Sequence, residues 1–273
     1  MTNKLYEEIT KRIIEKLEAG TSIFEMPFSN GLAKNYITKK PYRGVNAIIL
    51  ESGEYATFKQ IKDCGGKIKK GAKSETIVFW KLIEAEDEET GETFKTPYAR
   101  QYKVFKIGRD TEGLEAEATI DKNDCEQTPV ESAETIINNY PNKPGYTEIS
   151  GQAYYNPGLD IVNVPPATEF KEINRYYSTF FHELVHSTGS ADRLKRIGIT
   201  NTDKFGSEQY SKEELVAELG ASMLCAVSGI EKHTLDQSAS YIKSWIKVLK
   251  DDYSFIVSAS QQAQKAVDHI LNK

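Results

Sequence analysis

At 273 residues, 39% hydrophobic and 27% charged, the chain has the composition of folded globular domains, which excludes a collagen-like or wholly disordered protein. No apolar run approaches the roughly 20 residues that span a bilayer, and Glu7 and Glu8 fall where a signal peptide needs its apolar core, so a cytoplasmic protein with no membrane partner is expected. The net charge of -5 hides an asymmetry, with 20 basic against 16 acidic residues in 1–110 and 15 against 24 in the remainder, which points to two modules with different partners.

Residues 4–19 place Leu5, Ile9, Ile13, Ile14 and Leu17 at helical spacing ahead of Gly20, an amphipathic opening helix. The apolar stretch 45–50 starts a second helix, and 57–64 reads as a short one ended by Gly65-Gly66. Two strand-like runs, 76–82 and 99–106, flank an acidic, Gly-containing tip at 84–92 and predict a long β-hairpin. Residues 116–130 are polar and acidic and serve as a linker. Beyond it come a short helix at 131–140, strands near 146–155 and 160–164, and helices over 169–187, 211–228, 233–249 and 251–271. The expected fold is α+β in two domains. Residues 1–115 form an α/β unit with a β-hairpin, and 131–273 form a mostly helical unit with a small sheet. Cys64, Cys125 and Cys225 are scattered without metal-type spacing and read as reduced thiols.

The chemistry concentrates in His182-Glu183-Leu184-Val185-His186. Residues four apart share a helix face, so the two imidazoles can converge on one ion, while Glu183 sits close enough to take a proton from a metal-activated water. That is the equipment of metal-assisted hydrolysis, with Zn²⁺ the expected ion. Tyr176, Tyr177, Phe180 and Phe181 supply aromatic packing for such a helix, and Gly189 gives it a place to stop. A third ligand must come from elsewhere. His233, His269 and the acids of 211–228 are the candidates, and Glu214 and Glu218 lie four apart on one helix face. We favour Glu214 as ligand and Glu218 as the carboxylate that orients a ligating imidazole, over the reverse. A competing use exists, because Ser211 followed by Glu214 also fits a capping box. Tyr210, His233 and Tyr241 are equivalent candidates for stabilising an oxyanion.

His182–Gly189 (HELVHSTG) followed by Glu213–Ala221 (EELVAELGA) resembles the ArdC antirestriction family of mobile-element proteins. The first half matches as well, at Tyr6–Thr21, Tyr42–Asn46, Gly65–Trp80 and Tyr102–Ile107, so the resemblance runs through nearly the whole chain. It implies an N-terminal single-stranded-DNA-binding domain joined to a zincin-like metallopeptidase domain. The Glu214–Glu218 spacing is also similar to the ligand-plus-orienter pair of Glu-type zincins. Where the family leads us to expect Pro-Trp after the first helix, this chain has Phe24-Glu25-Met26-Pro27-Phe28, so an aromatic role there passes to Phe24 or Phe28 or is lost.

Single-strand binding needs cations for phosphates and aromatic faces for bases. Segment 34–81 holds 11 basic against 4 acidic residues. Lys34, Arg43, Lys67, Lys69, Lys70, Lys73 and Trp80 are the DNA candidates within it. On composition alone these lysines read as a solvated face; the family resemblance reverses that for the domain, though not for each residue. Phe79 and Trp80 alternate on a strand, and sequence alone does not say which is core. The expected function is an antirestriction-type protein that binds single-stranded DNA and uses its metal domain on a protein. The alternatives are a regulatory zinc peptidase that cleaves a repressor or partner, and a non-catalytic zinc-containing binding protein.

Overall fold

The computed structural model describes residues 2–19, 32–86, 93–117, 127–200, 208–230 and 239–273. The hairpin tip at 87–92, Cys125 and His233 fall outside the described residues. The opening helix α1 (Thr2–Glu18) buries Ile9, Ile13, Ile14 and Leu17, as its spacing predicts. β1 (Lys34–Asn35), α2 (Val45–Ile49) and β2 (Glu54–Thr57) follow, then α3 (Phe58–Asp63). A reciprocal Thr57–Gln60 capping box fixes the start of α3. β3 (Lys67–Ile68) precedes the long hairpin of β4 (Glu75–Glu86) and β5 (Thr93–Lys106), which pair antiparallel throughout. β6 (Thr111–Glu112) returns to pair with β3. The hairpin joins β1 and β2 in one sheet of order β1-β2-β5-β4, parallel only between β1 and β2.

In the second half α4 (Pro129–Asn139) begins two residues before its expected start, because Pro129 at its first turn and a Thr128–Glu131 capping box nucleate it there. β7 (Gly145–Thr147), β8 (Tyr154–Asn156) and β9 (Ile161–Asn163) make a sheet of order β7-β9-β8. The expected single strand over 146–155 is thus interrupted. The buried Asn163 side chain explains the break. It accepts from Thr147 Oγ1 and the Ile149 N–H and donates to the Ile149 and Gln152 carbonyls, satisfying loop groups a strand partner would otherwise serve. α5 (Ile173–Ser187), α6 (Ile197–Thr200), α7 (Glu208–Ser228), α8 (Ala239–Asp251) and α9 (Phe255–Ile270) complete the chain. None of the described helices is long and apolar enough to cross a membrane.

The main core draws on both halves. Ile9, Ile13, Ile14 and Leu17 of α1, Val45 and Ile48 of α2, and Val78 of β4 join the buried faces of α4, α5, α7, α8 and α9. α1 packs on α8, and Thr10 Oγ1 donates to the Tyr253 carbonyl just beyond it. Each buried aliphatic side chain contributes about 1.5–3 kcal/mol, so the α1 stripe is a substantial tie between the halves. A fragment ending near residue 115 would leave that stripe bare. Arg43 makes a second tie by pairing with Asp268 of α9, while within the first half Asn46 bonds both backbone groups of Val78 and so fixes α2 to β4.

Candidate metal centre

α5 buries His182, Glu183 and His186 together with the packing residues Phe181, Leu184 and Val185. α7 crosses it closely at Gly220, where an added Cβ would lie 2.8 Å from Val185 Cγ2. The close crossing brings the acids of α7 to the histidines. α7 begins at Glu208, so Ser211 lies inside the helix rather than at its cap. Its Oγ meets Ser244 Oγ and its carbonyl accepts from Trp245 Nε1. The capping-box use of Glu214 therefore fails, and its carboxylate turns to the histidines instead.

Nε2 of His182 lies 3.0 Å from Nε2 of His186. Glu214 Oε2 is 3.5 Å from the first and Oε1 is 3.4 Å from the second. Tetrahedral bonds of about 2.0–2.1 Å put ligand atoms roughly 3.3–3.4 Å apart. The three side chains thus already stand at the mutual spacing a small divalent cation imposes, and the donor set of two imidazoles and a carboxylate fits such an ion. Charge agrees with geometry. Burial resists charge on His186, but hydrogen bonds to Glu213 and Glu214 prevail and lift its pKa to about 10. Burial likewise opposes ionisation of Glu214, and the hydrogen bonds to His182 and His186 overcome it and hold the carboxyl far below its usual range. The cluster is built to hold positive charge between these groups, as a proton or as a metal ion.

Behind each histidine stands another carboxylate. His186 Nδ1 is 3.3 Å from Glu213 Oε1, and Glu213 is clamped by the buried Arg196, 2.6 Å from Nη2. Arg196 also donates to Thr188 Oγ1 and the Val185 carbonyl at the end of α5. Glu218 Oε1 lies 3.9 Å from His182 Nδ1, within ion-pair range but longer than a hydrogen bond. Sequence reasoning selected Glu218 and passed over Glu213 and Arg196. Nothing in the spacing reports that a turn after α5 would return a guanidinium to this point.

Glu183 is buried beside the cluster, and burial lifts its carboxyl above the ordinary glutamate range despite the lowering effect of both histidines. It accepts from the backbone N–H of Tyr155 on β8. The Tyr155 hydroxyl donates to Asp160, which Arg193 grips with two nitrogens. The metal cluster opens into a cleft of about 320 Å³ lined also by Tyr154, Tyr210 and Trp245. Of the other sequence candidates, His269 packs edge-on against Tyr140 and is absent from the metal cluster. Tyr210 reaches the cleft; His233 and the Tyr241 side chain lie outside the described residues.

The seven DNA candidates do not form one cluster of free groups. Lys34 pairs with Glu117 at 2.7 Å and Glu54 at 3.6 Å, and Arg43 pairs with Asp268. Lys69 donates to the Gly108 and Arg109 carbonyls, tying down the loop beside it. Lys67, Lys70 and Lys73 face solvent. The Trp80 side chain lies outside the described residues, and Phe79 is 52% exposed.

The family described as N-terminal domain of anti-restriction factor ArdC matches residues 3–105, and the family described as zincin-like metallopeptidase matches residues 131–262. The chain is 32% identical, over 97% of its length, to the DNA primase TraC of Escherichia coli, of which it spans only 27%. It is 30% identical to the uncharacterized protein y4eC of Sinorhizobium fredii, covering 97% of itself and 90% of that protein. Among solved structures, the metal-free antirestriction protein ArdC of the R388 plasmid superposes with a TM-score of 0.79 at 33% identity, with 98% of this chain and 97% of that one covered. Its Mn(II)-bound form gives a TM-score of 0.77 at 31% identity, with the same coverage. The order of the matched domains, their near-complete coverage and the divalent-metal cluster lead to one conclusion: this chain belongs to the ArdC antirestriction family, with an ArdC-type N-terminal domain ahead of a zincin-like metallopeptidase domain.

Proposed function

We propose that this is an antirestriction-type protein of a mobile element, acting in the cytoplasm, that holds single-stranded DNA on its N-terminal half and binds or cleaves a protein at a zinc centre in its C-terminal half. The observation that carries the reading is the His182–His186–Glu214 triad opening, with Glu183, into a cleft. His182, His186 and Glu214 would hold the ion, and Zn²⁺ is the natural choice for two imidazoles and a carboxylate. The Mn(II) in the R388 relative makes manganese the competitor. When bound, the ion would polarise a substrate carbonyl and acidify water.

The protein's own groups supply the rest. Glu183, its carboxyl raised by burial, accepts a proton and later returns it to a leaving amine. The Tyr155 N–H fixes the direction of that carboxylate, and Glu213 with Arg196 holds the His186 ring. β8 is a terminal strand of its sheet and borders the cleft, so an extended peptide can lie beside it.

The test compares wild type with Glu183→Gln, which keeps shape and removes basicity. Both should hold one equivalent of metal. Cleavage of a protein substrate should fall in the variant by about 10²–10⁴-fold, the usual worth of a general base. Equal cleavage by both would exclude Glu183. No cleavage by either across a broad protein screen, with metal bound, would replace hydrolysis by binding alone.

A further inference from the structure

The β4–β5 hairpin is half enclosed and half open. Val78 is buried in the main core with its backbone clamped by Asn46, which covers one face of β4. On the other face Ile77 and Val104 are buried with Tyr42, Leu50 and Tyr55. One step further along that second face the cover ends. Phe79 is 52% exposed and Tyr102 is 39% exposed, their rings in edge-to-face contact with centroids 5.9 Å apart. Register sets Arg100 directly across from Phe79 and Tyr102 across from Ile77, and Arg100 is exposed. Single exposed apolar side chains are ordinary on any surface. Of the ring pairs among the described residues, this alone has both members open to solvent.

We propose that Phe79, Tyr102 and Arg100 form the base-stacking platform of the N-terminal half, and that its ligand is single-stranded nucleic acid. The proposal rests on the DNA-binding reading above and moves the aromatic contact from Trp80 to Phe79. Perpendicular rings give a nucleobase a flat floor and an upright wall. A guanidinium beside them can stack on a second base or pair with a phosphate. The inner residues of both strands are locked in two cores, so the platform is held rigid and little order must be gained on binding. These positions carry a cation and no acid, which suits an anionic strand. A duplex hides its base faces and would meet only the arginine.

The full-length double variant Phe79→Ala/Tyr102→Ala decides the matter. Both side chains are exposed, so its melting temperature should match wild type. Fluorescence anisotropy would compare a short oligodeoxythymidylate with an abasic strand of equal length, at several salt concentrations. Wild type should prefer the base-bearing strand by about tenfold or more. The variant should bind both alike, at the level wild type shows for the abasic strand, with the salt slope unchanged. A variant that keeps the preference would overturn the platform. So would a wild type that is dimeric by sedimentation and a variant that is monomeric with an unaltered preference, because the rings would then serve a second copy of the chain. If wild type binds neither strand at low salt, the DNA-binding reading itself fails. That outcome is distinct from binding without base preference, which sinks only the platform.

Discussion

His182, Glu183, His186, Glu213 and Glu218 are all buried; the histidines and the two α7 carboxylates pair with one another or with a clamping arginine, and Glu183 feels the charge of both histidines. Lys67, Lys70, Lys73, Phe79 and Arg100 are exposed, with Lys67 on the two-residue strand β3 and Lys70 and Lys73 in the segment that follows it. The contrast teaches how each half holds its chemistry. In the metal half every charge depends on its neighbours, so a change at one position spreads to the rest. In the hairpin half the solvent-facing lysines are not locked into such a network, so losses on removing them should be small and additive.

The strongest way to break this contrast is to remove a proposed ligand. Glu214→Ala should lower metal affinity by orders of magnitude. Glu213→Ala and Glu218→Ala, which remove only supporting carboxylates, should cost about 10–100-fold. Metal titration by calorimetry ranks the three, and full retention in Glu214→Ala with loss in Glu218→Ala would reverse the assignment. Next in size is Arg196→Met, which strands the Glu213 carboxylate without its clamp and should cost about 3–5 kcal/mol in urea unfolding. Adding Glu213→Gln to that variant should recover much of the loss; strict additivity would mean that the two groups are not coupled. Gly220→Ala forces a methyl against Val185 and should cost about 1–3 kcal/mol, partly restored by Val185→Ala. An unchanged melting temperature would show that α5 and α7 have slack between them. The smallest effect belongs to Lys67→Gln/Lys70→Gln/Lys73→Gln. Stability should stay within about 0.5 kcal/mol of wild type, while the slope of log affinity against log salt for single strands flattens by up to about 2. An unaltered slope would remove these lysines from the phosphate path.

What the sequence discloses follows the range of the interaction. The paired histidines and Glu183 are legible because a single helical period sets their geometry, and Glu214 because it lies within one further helix. The hairpin is legible from alternation alone, and the capping boxes that start α3 and α4 span three residues each. Arg196 is not legible, because its role depends on a turn that carries it back to α7. Which face of β4 meets the helices is likewise a tertiary fact, set by Val78 and its clamp Asn46, and it leaves Phe79 on the opposite face. The apolar stripe of α1 is plain in the sequence, but nothing local names α8 as what covers it.

That last pairing bears on how the protein is made. α1 leaves the ribosome well before α8, from which most of this chain separates it, a span reflected in the sequence separation of 243 between Thr10 and its partner Tyr253. Throughout synthesis of the residues between, a helix carrying Ile9, Ile13, Ile14 and Leu17 lacks the α8 face it packs against. At translation speeds of about 5–20 residues per second that interval lasts on the order of ten seconds or more. The apolar face of α1 is therefore not fully covered until α8 has emerged, however early the sheet can form.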